Sequence, residues 1–395
     1  MELFNPHSND WLKNKFSIYN DLRNRDTAYW SDTYKMYVIT RYDDVVFALN
    51  NPEIFSSAYG NLIVEDSRRF GQTLGASDNP THDFLKNIVR NAYSKDNMDR
   101  IASCFSHHAR RLLSDKDNLN LSDVISELSA WCVAEIINFP YDKKEVVDLI
   151  IDIQKKSSLA TNTNIDDSSY KEFRHILKKL WVPKIEPLGP GIYNEFYYND
   201  SMDLDPNEQH PRSSLFVGPI ISGASSMAGG LQFLTLDLHR SGKLHNLLND
   251  KSLIPSAVNE SLRYNASTGR FSRTVKSEVE LHGVKLVAGD RVALCLDSAN
   301  RDPRAFTNPD VFDLGRQGSK SLAFGHGMHA CIALSISKNI MSTWLELLFD
   351  IFGNYRITTL DSELEYLMTA SGNNDLLTNL HIEKTLNLTN SSASA

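Results

Sequence analysis

Apolar side chains recur along much of this chain at the spacing of an amphipathic helix. They form a stripe in residues 11–26, and the same period runs through residues 98–149. A period near 3.6 residues places them on one face of a helix, which that face buries. Trp131, Val133, Ile136 and Ile137 are therefore expected in the core. The pattern predicts a mainly α-helical protein.

Strand-like alternation is confined to short stretches. They are residues 28–30 and 36–40 around a turn at 31–34, residues 278–281 and 284–287, an apolar run at 291–299, and a closing hairpin within 364–380. Short alternating runs bounded by turn residues are typical of strands. We expect small β-sheets beside the helices.

Two stretches depart from this regularity. Asp43 is the expected cap of a short helix at residues 44–50, after which residues 57–77 lack a period and contain several glycines. Long loops of this kind often bind ligands. Residues 150–214 are the least regular, with one predicted helix at 169–180 and an acidic segment at 199–208.

The composition is that of a globular protein. The 395 residues are 41% hydrophobic and 23% charged, and a chain of this length can form two average domains or one large one, with a tail at 389–395 that is expected to fray. A net charge of −8 argues against a nucleic-acid partner. No run is long enough to span a membrane, and the first residues do not resemble a signal peptide.

The four cysteines are scattered and unpaired in sequence. Cys104, Cys132, Cys295 and Cys331 form no CxxC motif, which argues against a disulfide framework or a zinc site. This usage is typical of a reducing compartment, so we expect a cytoplasmic protein. The neighbouring histidines His107 and His108 are expected at the surface.

Chemistry concentrates in the segment Phe324-Gly-His-Gly-Met-His-Ala-Cys331, which precedes an amphipathic run to Phe352. Glycines permit a tight turn and the close approach of a flat ligand. A cysteine near a helix start has a stabilised thiolate. Such a thiolate suits haem iron, although a buried cysteine in a glycine-rich turn is the simpler alternative.

The segment resembles the cysteine-ligand loop of the cytochromes P450, with pattern Phe-Gly-x-Gly-x-His-x-Cys. The resemblance covers nearly the whole chain and implies a single domain over residues 1–395 with the P450 fold. It also implies that this domain binds haem b, with Cys331 as the axial iron ligand. It also implies that Phe324 lies at the cofactor and that His329 binds a haem propionate.

Further propionate ligands are implied upstream. His82 and Lys86 are four residues apart and so share a helical face; the family has His and Arg there. Without the cysteine loop, a solvated helical face would be the better interpretation. Arg273 stands at the family's propionate-binding arginine, with Arg270 as a rival.

The apolar stretch at residues 214–239 matches the family's central helix. Its Gly223-Ala-Ser225-Ser226 replaces the family's Ala-Gly-x-Glu/Asp-Thr, so Ser225 stands for the acid and Ser226 for the alcohol. Gly223 can permit a local break in the helix that makes room for dioxygen. Ser226 can relay protons, whereas Ser225 cannot act as an acid near neutral pH.

Three explanations of the two serines stay open. Water or a polar group of the substrate completes the relay. Alternatively, the enzyme uses peroxide, or catalyses coupling, rearrangement or dehydration. Or both serines are simply small residues that let helix and haem approach.

Glu260 and Arg263 are close enough on one predicted helix to pair. They match the family's buried structural Glu-x-x-Arg. In the family a later Arg or His often joins this pair; Val311 stands at that place here, so the third partner is missing or supplied elsewhere. The tip of the closing hairpin, residues 371–374, is expected near the substrate.

The resemblance implies a monooxygenase that oxidises a small organic molecule, in natural-product metabolism, with dioxygen. Electrons would come from a ferredoxin and ferredoxin reductase. The alternatives are a P450-fold enzyme with peroxide-dependent or non-hydroxylating chemistry, and a haem-binding sensor without catalysis.

Overall fold

The computed structural model describes residues 2–65, 67–140, 142–159, 189–198, 214–318, 320–369 and 372–385. Helices dominate this part of the chain, as the apolar periodicity predicts. They are Asn9–Arg23, Tyr42–Asn50, Thr81–Val89, Lys95–Leu113, Leu121–Ile137, Lys143–Leu159, Ile192–Tyr198, Ser214–Gly218, Ala224–Arg240, Leu244–Asn249, Ile254–Tyr264, Leu296–Ala299 and Leu334–Phe352.

The largest sheet has five strands in the order β1-β2-β8-β5-β3. These strands are β1 (Tyr29–Ser31), β2 (Met36–Ile39), β3 (Phe55–Ser56), β5 (Arg270–Val275) and β8 (Arg291–Cys295). β2 and β8 pair in parallel, and the other pairs are antiparallel. The predicted first hairpin is confirmed, and the sheet joins it to strands more than 230 residues later.

The remaining strands of the described residues form three smaller sheets. β6 (Val279–Leu281) pairs with β7 (Val284–Leu286), and β10 (Tyr366–Met368) pairs with β11 (Asp375–Leu377). β12 (His381–Lys384) lies between β4 (Asn118–Asn120) and β9 (Tyr355–Ile357). We call the β10–β11 pair the terminal hairpin; it confirms the predicted closing hairpin.

The core is built around the helix Ala224–Arg240, the central helix. Nearly all its side chains are buried between Ala224 and Leu238. It packs against the helices Leu121–Ile137, Ile254–Tyr264 and Leu334–Phe352, and against β11. Trp131, Val133, Ile136 and Ile137 are buried in the same core, as predicted. A helix apolar on all sides is stable in such a place because its neighbours cover every face.

Some predicted boundaries are wrong. The first helix begins at Asn9, where the Ser8 side chain accepts a bond from the Trp11 amide, and ends at Arg23. Asp43 lies within the second helix, whose N-cap is Arg41. The strand predicted over residues 291–299 ends at Cys295, and Leu296–Ala299 is helical. Apolar runs of this length do not distinguish a strand from a buried helical turn.

Other expectations fall outside the described residues, namely the helix at 169–180, the acidic segment at 199–208 and the tail at 389–395. Among the described residues, His107 is exposed while His108 stacks on Trp131, with ring centroids 3.7 Å apart. The described residues contain no cluster of His, Cys, Asp and Glu suited to a metal ion. Nor does any helix of this part of the chain have the length and apolar character to cross a bilayer.

Candidate haem site

Two glycines shape the loop that carries Cys331. Gly325 and Gly327 have φ angles of 69° and 67°, which side chains rarely adopt. A Cβ on Gly327 would lie 2.7 Å from the Leu49 carbonyl oxygen. The Cys331 amide donates to the Phe324 carbonyl at 2.8 Å and closes the loop. We call Phe324 to Cys331 the cysteine loop; it ends three residues before the helix Leu334–Phe352.

The Cys331 side chain is accessible, although protein atoms surround its thiol. The residue is exposed, yet the surrounding protein atoms raise the pKa of its thiol by desolvation. The exposure of the residue and the desolvation of its thiol are compatible if the thiol opens onto an internal cavity rather than the outer surface. The Ala333 amide and the Lys86 charge act in the opposite direction and favour the thiolate. A ligand that binds at Cys331 therefore meets a sulfur atom whose negative charge these two groups stabilise.

His82 and Lys86 lie on one face of the helix Thr81–Val89, as their spacing predicts. The buried His82 ring packs edge-on against His329, with centroids 4.5 Å apart. Lys86 donates from Nζ to the Met328 carbonyl at 3.1 Å. The helix and the cysteine loop therefore bring these three side chains together.

Arg273 reaches the same cluster, whereas Arg270 does not. Arg270 is buried in ion pairs with Asp297 and Asp375, and it also donates to the Gly372 carbonyl. These two carboxylates neutralise the charge of Arg270. Arg273 is buried as well, and its proximity contributes to the lowered pKa of His329. Its Nη1 donates to the Ser272 carbonyl at 2.7 Å.

This cluster has an excess of positive charge. Among the described residues, no carboxylate lies within salt-bridge distance of Arg273, Lys86 or His329; exposed Asp83 pairs with His82 at 3.0 Å. Desolvation, followed by the charges of Arg273, His82 and Lys86, lowers the pKa of His329 to about 2. Desolvation also lowers the pKa of Arg273 to about 10.

The residues present fit a haem. The buried Nε2 of His329 has no hydrogen-bond partner in the described structure. An unpartnered polar atom beside two cations is a good site for an anionic group such as a propionate. A thiolate is a ligand that haem iron accepts, and the accessible thiol of Cys331 would hold it there, with half-buried Phe324 at the start of its loop.

The helical path upstream of the central helix is distorted. Residues Ser214–Gly218 are α-helical, and Pro219–Gly223 form a π-helical turn. Gly223 thus ends the distorted segment, with the Ala224 amide donating to the Pro219 carbonyl. Such turns often occur at functional sites. Ile221 is 40% exposed, so the turn borders open space.

The two serines that follow have different surroundings. Ser225 is buried; its hydroxyl donates to the Ile221 carbonyl at 2.7 Å and accepts from Asn374 Nδ2 at 3.0 Å. Ser226 is only half-buried, and its hydroxyl donates to the Gly223 carbonyl at 3.2 Å. Of the two hydroxyls, that of Ser226 is the more accessible.

Glu260 and Arg263 form a buried ion pair of 2.7 Å on the helix Ile254–Tyr264. Arg263 also donates to the carbonyls of Asn300 and Pro309. The third partner is Arg316, whose Nε lies 3.0 Å from Glu260 Oε2. Val311 is 56% exposed, so a side chain at that position points outwards. Arg316, five residues later in the chain, therefore supplies the cation that the family has at the position of Val311.

The tip of the terminal hairpin holds the central helix and β5 in place. Asn373 donates to the Arg270 carbonyl at 2.6 Å, and Asn374 contacts both Ser225 and Thr268. The sequence predicts a tip at residues 371–374 but not these contacts; residue 371 lies outside the described part. Arg316 and Asn374 are missed because no local pattern marks a partner distant in sequence.

Comparison with known proteins agrees with this geometry. The family model for cytochrome P450 matches residues 244–361. The chain is 22% identical over 358 residues to the polyketide biosynthesis cytochrome P450 PksS of Bacillus subtilis (strain 168), covering 85% of this chain and 88% of that protein. It is 24% identical over 382 residues to pulcherriminic acid synthase of the same organism, covering 90% and 93%.

A solved structure extends the likeness to the fold. P450BioI in complex with an acyl carrier protein ligated to hexadec-9Z-enoic acid has a TM-score of 0.80, 21% identity, and coverage of 95% of this chain and 100% of that one. Fold and site together define a helical haem oxidoreductase. The fold is that of the cytochromes P450, and residues 244–361 match the model of that family. The protein is an oxidoreductase of the monooxygenase type, with haem b as its cofactor.

Proposed function

We propose that this enzyme oxidises a small organic molecule with dioxygen and electrons from a ferredoxin-type partner, in specialised metabolism. One observation carries the proposal. An accessible thiol on Cys331 lies near a cationic cluster, made of His82, Lys86, Arg273 and His329, that has too few carboxylates to neutralise it. The relatives named for polyketide biosynthesis and pulcherriminic acid synthesis support the metabolic setting.

When bound, the haem iron with its sulfur ligand supplies the activation of dioxygen. The side chains and amides of the protein bind the haem and stabilise its sulfur ligand. Arg273, Lys86, His82 and His329 bind the propionates, and the two cations offset the propionate charge. The Ala333 amide and the Lys86 charge support the Cys331 thiolate. Glu260, Arg263 and Arg316 fix the segment before the cysteine loop.

Proton delivery is assigned to the Ser226 hydroxyl, with Gly223 making room beside it. This hydroxyl is half-buried next to the distorted helical turn, and its bond of 3.2 Å to its own helix is easily exchanged for water. Ser225 has no carboxyl, and its hydroxyl is already bonded to the Ile221 carbonyl and to Asn374. Water or a polar group of the substrate then supplies the remaining proton carrier.

A second candidate function follows from the same two serines. Because neither Ser225 nor Ser226 is an acid, a reaction that needs less proton delivery is also compatible with the site. Peroxide in place of dioxygen and an electron donor is such a reaction. Coupling, rearrangement and dehydration belong with it.

The thiolate is tested by the absorption of the reduced protein with carbon monoxide. We expect the wild type to show the band diagnostic of cysteine ligation, and Cys331→Ser to lose it. Cys104→Ser is the matched control, since Cys104 is a half-buried cysteine in the helix Lys95–Leu113. A band that survives Cys331→Ser would overturn the assignment.

The oxidant is tested with a panel of candidate substrates chosen by their shift of the haem absorption. Each hit is incubated with dioxygen, a ferredoxin, its reductase and NADPH, and in parallel with hydrogen peroxide alone. Product formed only with the electron-transfer system supports the monooxygenase. Product formed as fast with peroxide alone favours the second candidate.

A further inference from the structure

The terminal hairpin is hydrogen-bonded to the central helix near Ser225 and Ser226. Asn374 Nδ2 lies 3.0 Å from Ser225 Oγ, and the Ser267 hydroxyl lies 2.7 Å from the Ser226 carbonyl oxygen. The Asp375 amide in turn donates to the Ser267 carbonyl at 2.7 Å. The hairpin therefore holds the Ser225 side chain directly and the Ser226 main chain through Ser267.

The orientation of the Asn374 amide is determined by its partners. The Ser225 hydroxyl gives its proton to the Ile221 carbonyl at 2.7 Å, so towards Asn374 it can only accept. The Asn374 NH₂ must therefore face it. The amide oxygen accepts from the Thr268 hydroxyl at 2.7 Å. A single ordered path of hydrogen bonds runs from Thr268 through Asn374 and Ser225 to Ile221.

This path ends inside the distorted turn. Ile221 lies within the π-helical segment Pro219–Gly223, and its carbonyl is an acceptor that Ser225 satisfies. Carbonyls in such turns lose regular helical partners, so a side-chain donor stabilises the distortion. The Ser226 hydroxyl bonds the carbonyl of Gly223 in the same turn.

We propose that Asn374, supported by Thr268, is a positioning residue that fixes the turn 219–223 and thereby aims the Ser226 hydroxyl. The inference rests on the proposed function, in which Ser226 carries protons. Asn374 touches no reacting atom in this role. Its amide holds Ser225, and Ser225 holds the turn to which Ser226 is bonded.

The matched control is the neighbouring asparagine. Asn373 is also buried on the hairpin, and its amide bonds the Arg270 carbonyl and the Ile63 amide. Within the described residues, its side chain makes no hydrogen bond to the central helix. Both asparagines hold the hairpin in place. Only Asn374 is bonded to the central helix, so only Asn374 can position the turn 219–223.

The first measurement is hydrogen–deuterium exchange of the full-length purified protein. In Asn374→Ala we expect exchange at residues 219–226 to accelerate about tenfold, the effect of one lost buried hydrogen bond. Asn373→Ala should leave those residues unchanged. The proposal is overturned if Asn374→Ala changes nothing there, or if Asn373→Ala has the same effect.

The second measurement is the stretching band of carbon monoxide on the reduced protein, which reports the polar groups near the ligand. We expect Asn374→Ala to shift or broaden the band because the Ser226 dipole loses its fixed direction; Asn373→Ala should not. If Asn374→Ala does not fold, Thr268→Val replaces it and must act in the same direction. A protein without haem would refute the proposed function, while the exchange data would still decide the role of Asn374.

Discussion

The His329 side chain lies among cations and holds no charge of its own. Burial and the neighbouring Arg273, His82 and Lys86 keep its pKa at about 2, against an ordinary value of 6.5. An unfolded chain binds a proton on this side chain near 6.5, whereas the folded chain does not. As the pH falls below that value, protons favour the unfolded state.

We therefore expect the haem-free protein to lose stability on acidification partly through His329. Between about pH 7 and pH 5, the free energy of unfolding should fall more steeply in the wild type than in His329→Gln, by at most ~1.4 kcal/mol per pH unit. Urea denaturation at each pH measures the difference. His107→Gln, which changes an exposed histidine, should keep the wild-type slope; equal slopes in all three proteins would contradict the account.

Arg316 is a second residue whose role comes from its contacts. It bonds both Glu260 oxygens and the carbonyls of Thr307, Asn308 and Val311. In Arg316→Ala, buried Glu260 keeps Arg263 but loses half of its cationic partners. We expect a loss of about 1–3 kcal/mol in stability and faster release of haem to an acceptor protein.

The control for this change is Arg356→Ala, which removes an exposed arginine paired with Glu383. Exposed pairs contribute about 0–1 kcal/mol, so haem release should stay at the wild-type rate. If both variants release haem equally, Arg316 is not the third partner of the Glu260–Arg263 pair.

At the scale of elements, two adjacent glycines of the central helix differ in what they allow. A Cβ on Gly229 would lie 2.5 Å from the Asp375 carbonyl oxygen and 2.6 Å from the Ser267 Cβ. A Cβ on Gly230 would meet only Met341, at 3.8 Å. The first glycine lets the terminal hairpin approach the helix, and the second faces ordinary packing.

Gly229→Ala should therefore cost about 1–3 kcal/mol through overpacking. Gly230→Ala should be neutral or stabilise by up to about 1 kcal/mol, because alanine favours the helix interior. Thermal and urea denaturation measure both. Equal effects at the two positions would mean that the hairpin does not pack as closely as described.

Prediction from sequence succeeds for elements with a local signal. The helical stripes, the first hairpin and the closing hairpin follow from periods of a few residues. The segment 291–299 fails because its apolar run continues past Cys295 while the backbone turns into a short helix. The grouping of His82, Lys86, Arg273 and His329 follows from family resemblance alone, since three separate segments supply them.

Contacts between distant segments leave no such signal. Asn374 and Ser225 are 149 residues apart, and their hydrogen bond depends on two side chains that are individually ordinary. Likewise Arg316 replaces the partner expected at Val311 only because the loop directs Val311 outwards. One sequence identifies the residue types, but their pairing depends on tertiary structure.

At the scale of the whole molecule, a buried group of charges joins the two ends of the chain. Lys15 lies 2.6 Å from Asp375 and 3.3 Å from Asp297, and Arg270 pairs with the same two carboxylates. All four side chains are almost fully buried. Although burial raises the pKa of Asp375, the charges of Arg270 and Lys15 hold it below its ordinary value.

Removal of one member should be costly because its partners stay buried. We expect Lys15→Met to lose about 3–5 kcal/mol of stability, since two carboxylates are then left with one arginine. Lys251→Met, which breaks an exposed pair with Asp350, should change stability by less than about 1 kcal/mol. Chemical denaturation of both variants measures this; similar losses would contradict the importance of the buried group.

The order of synthesis gives this charge group a temporal consequence. Lys15 precedes Asp375 by 360 residues and therefore leaves the ribosome long before it. Until Asp375 emerges, Lys15 and Arg270 share a single acid of this group, Asp297. The buried group cannot close before β11 has been made, so the final packing of the first helix waits for a strand that is synthesised 360 residues later.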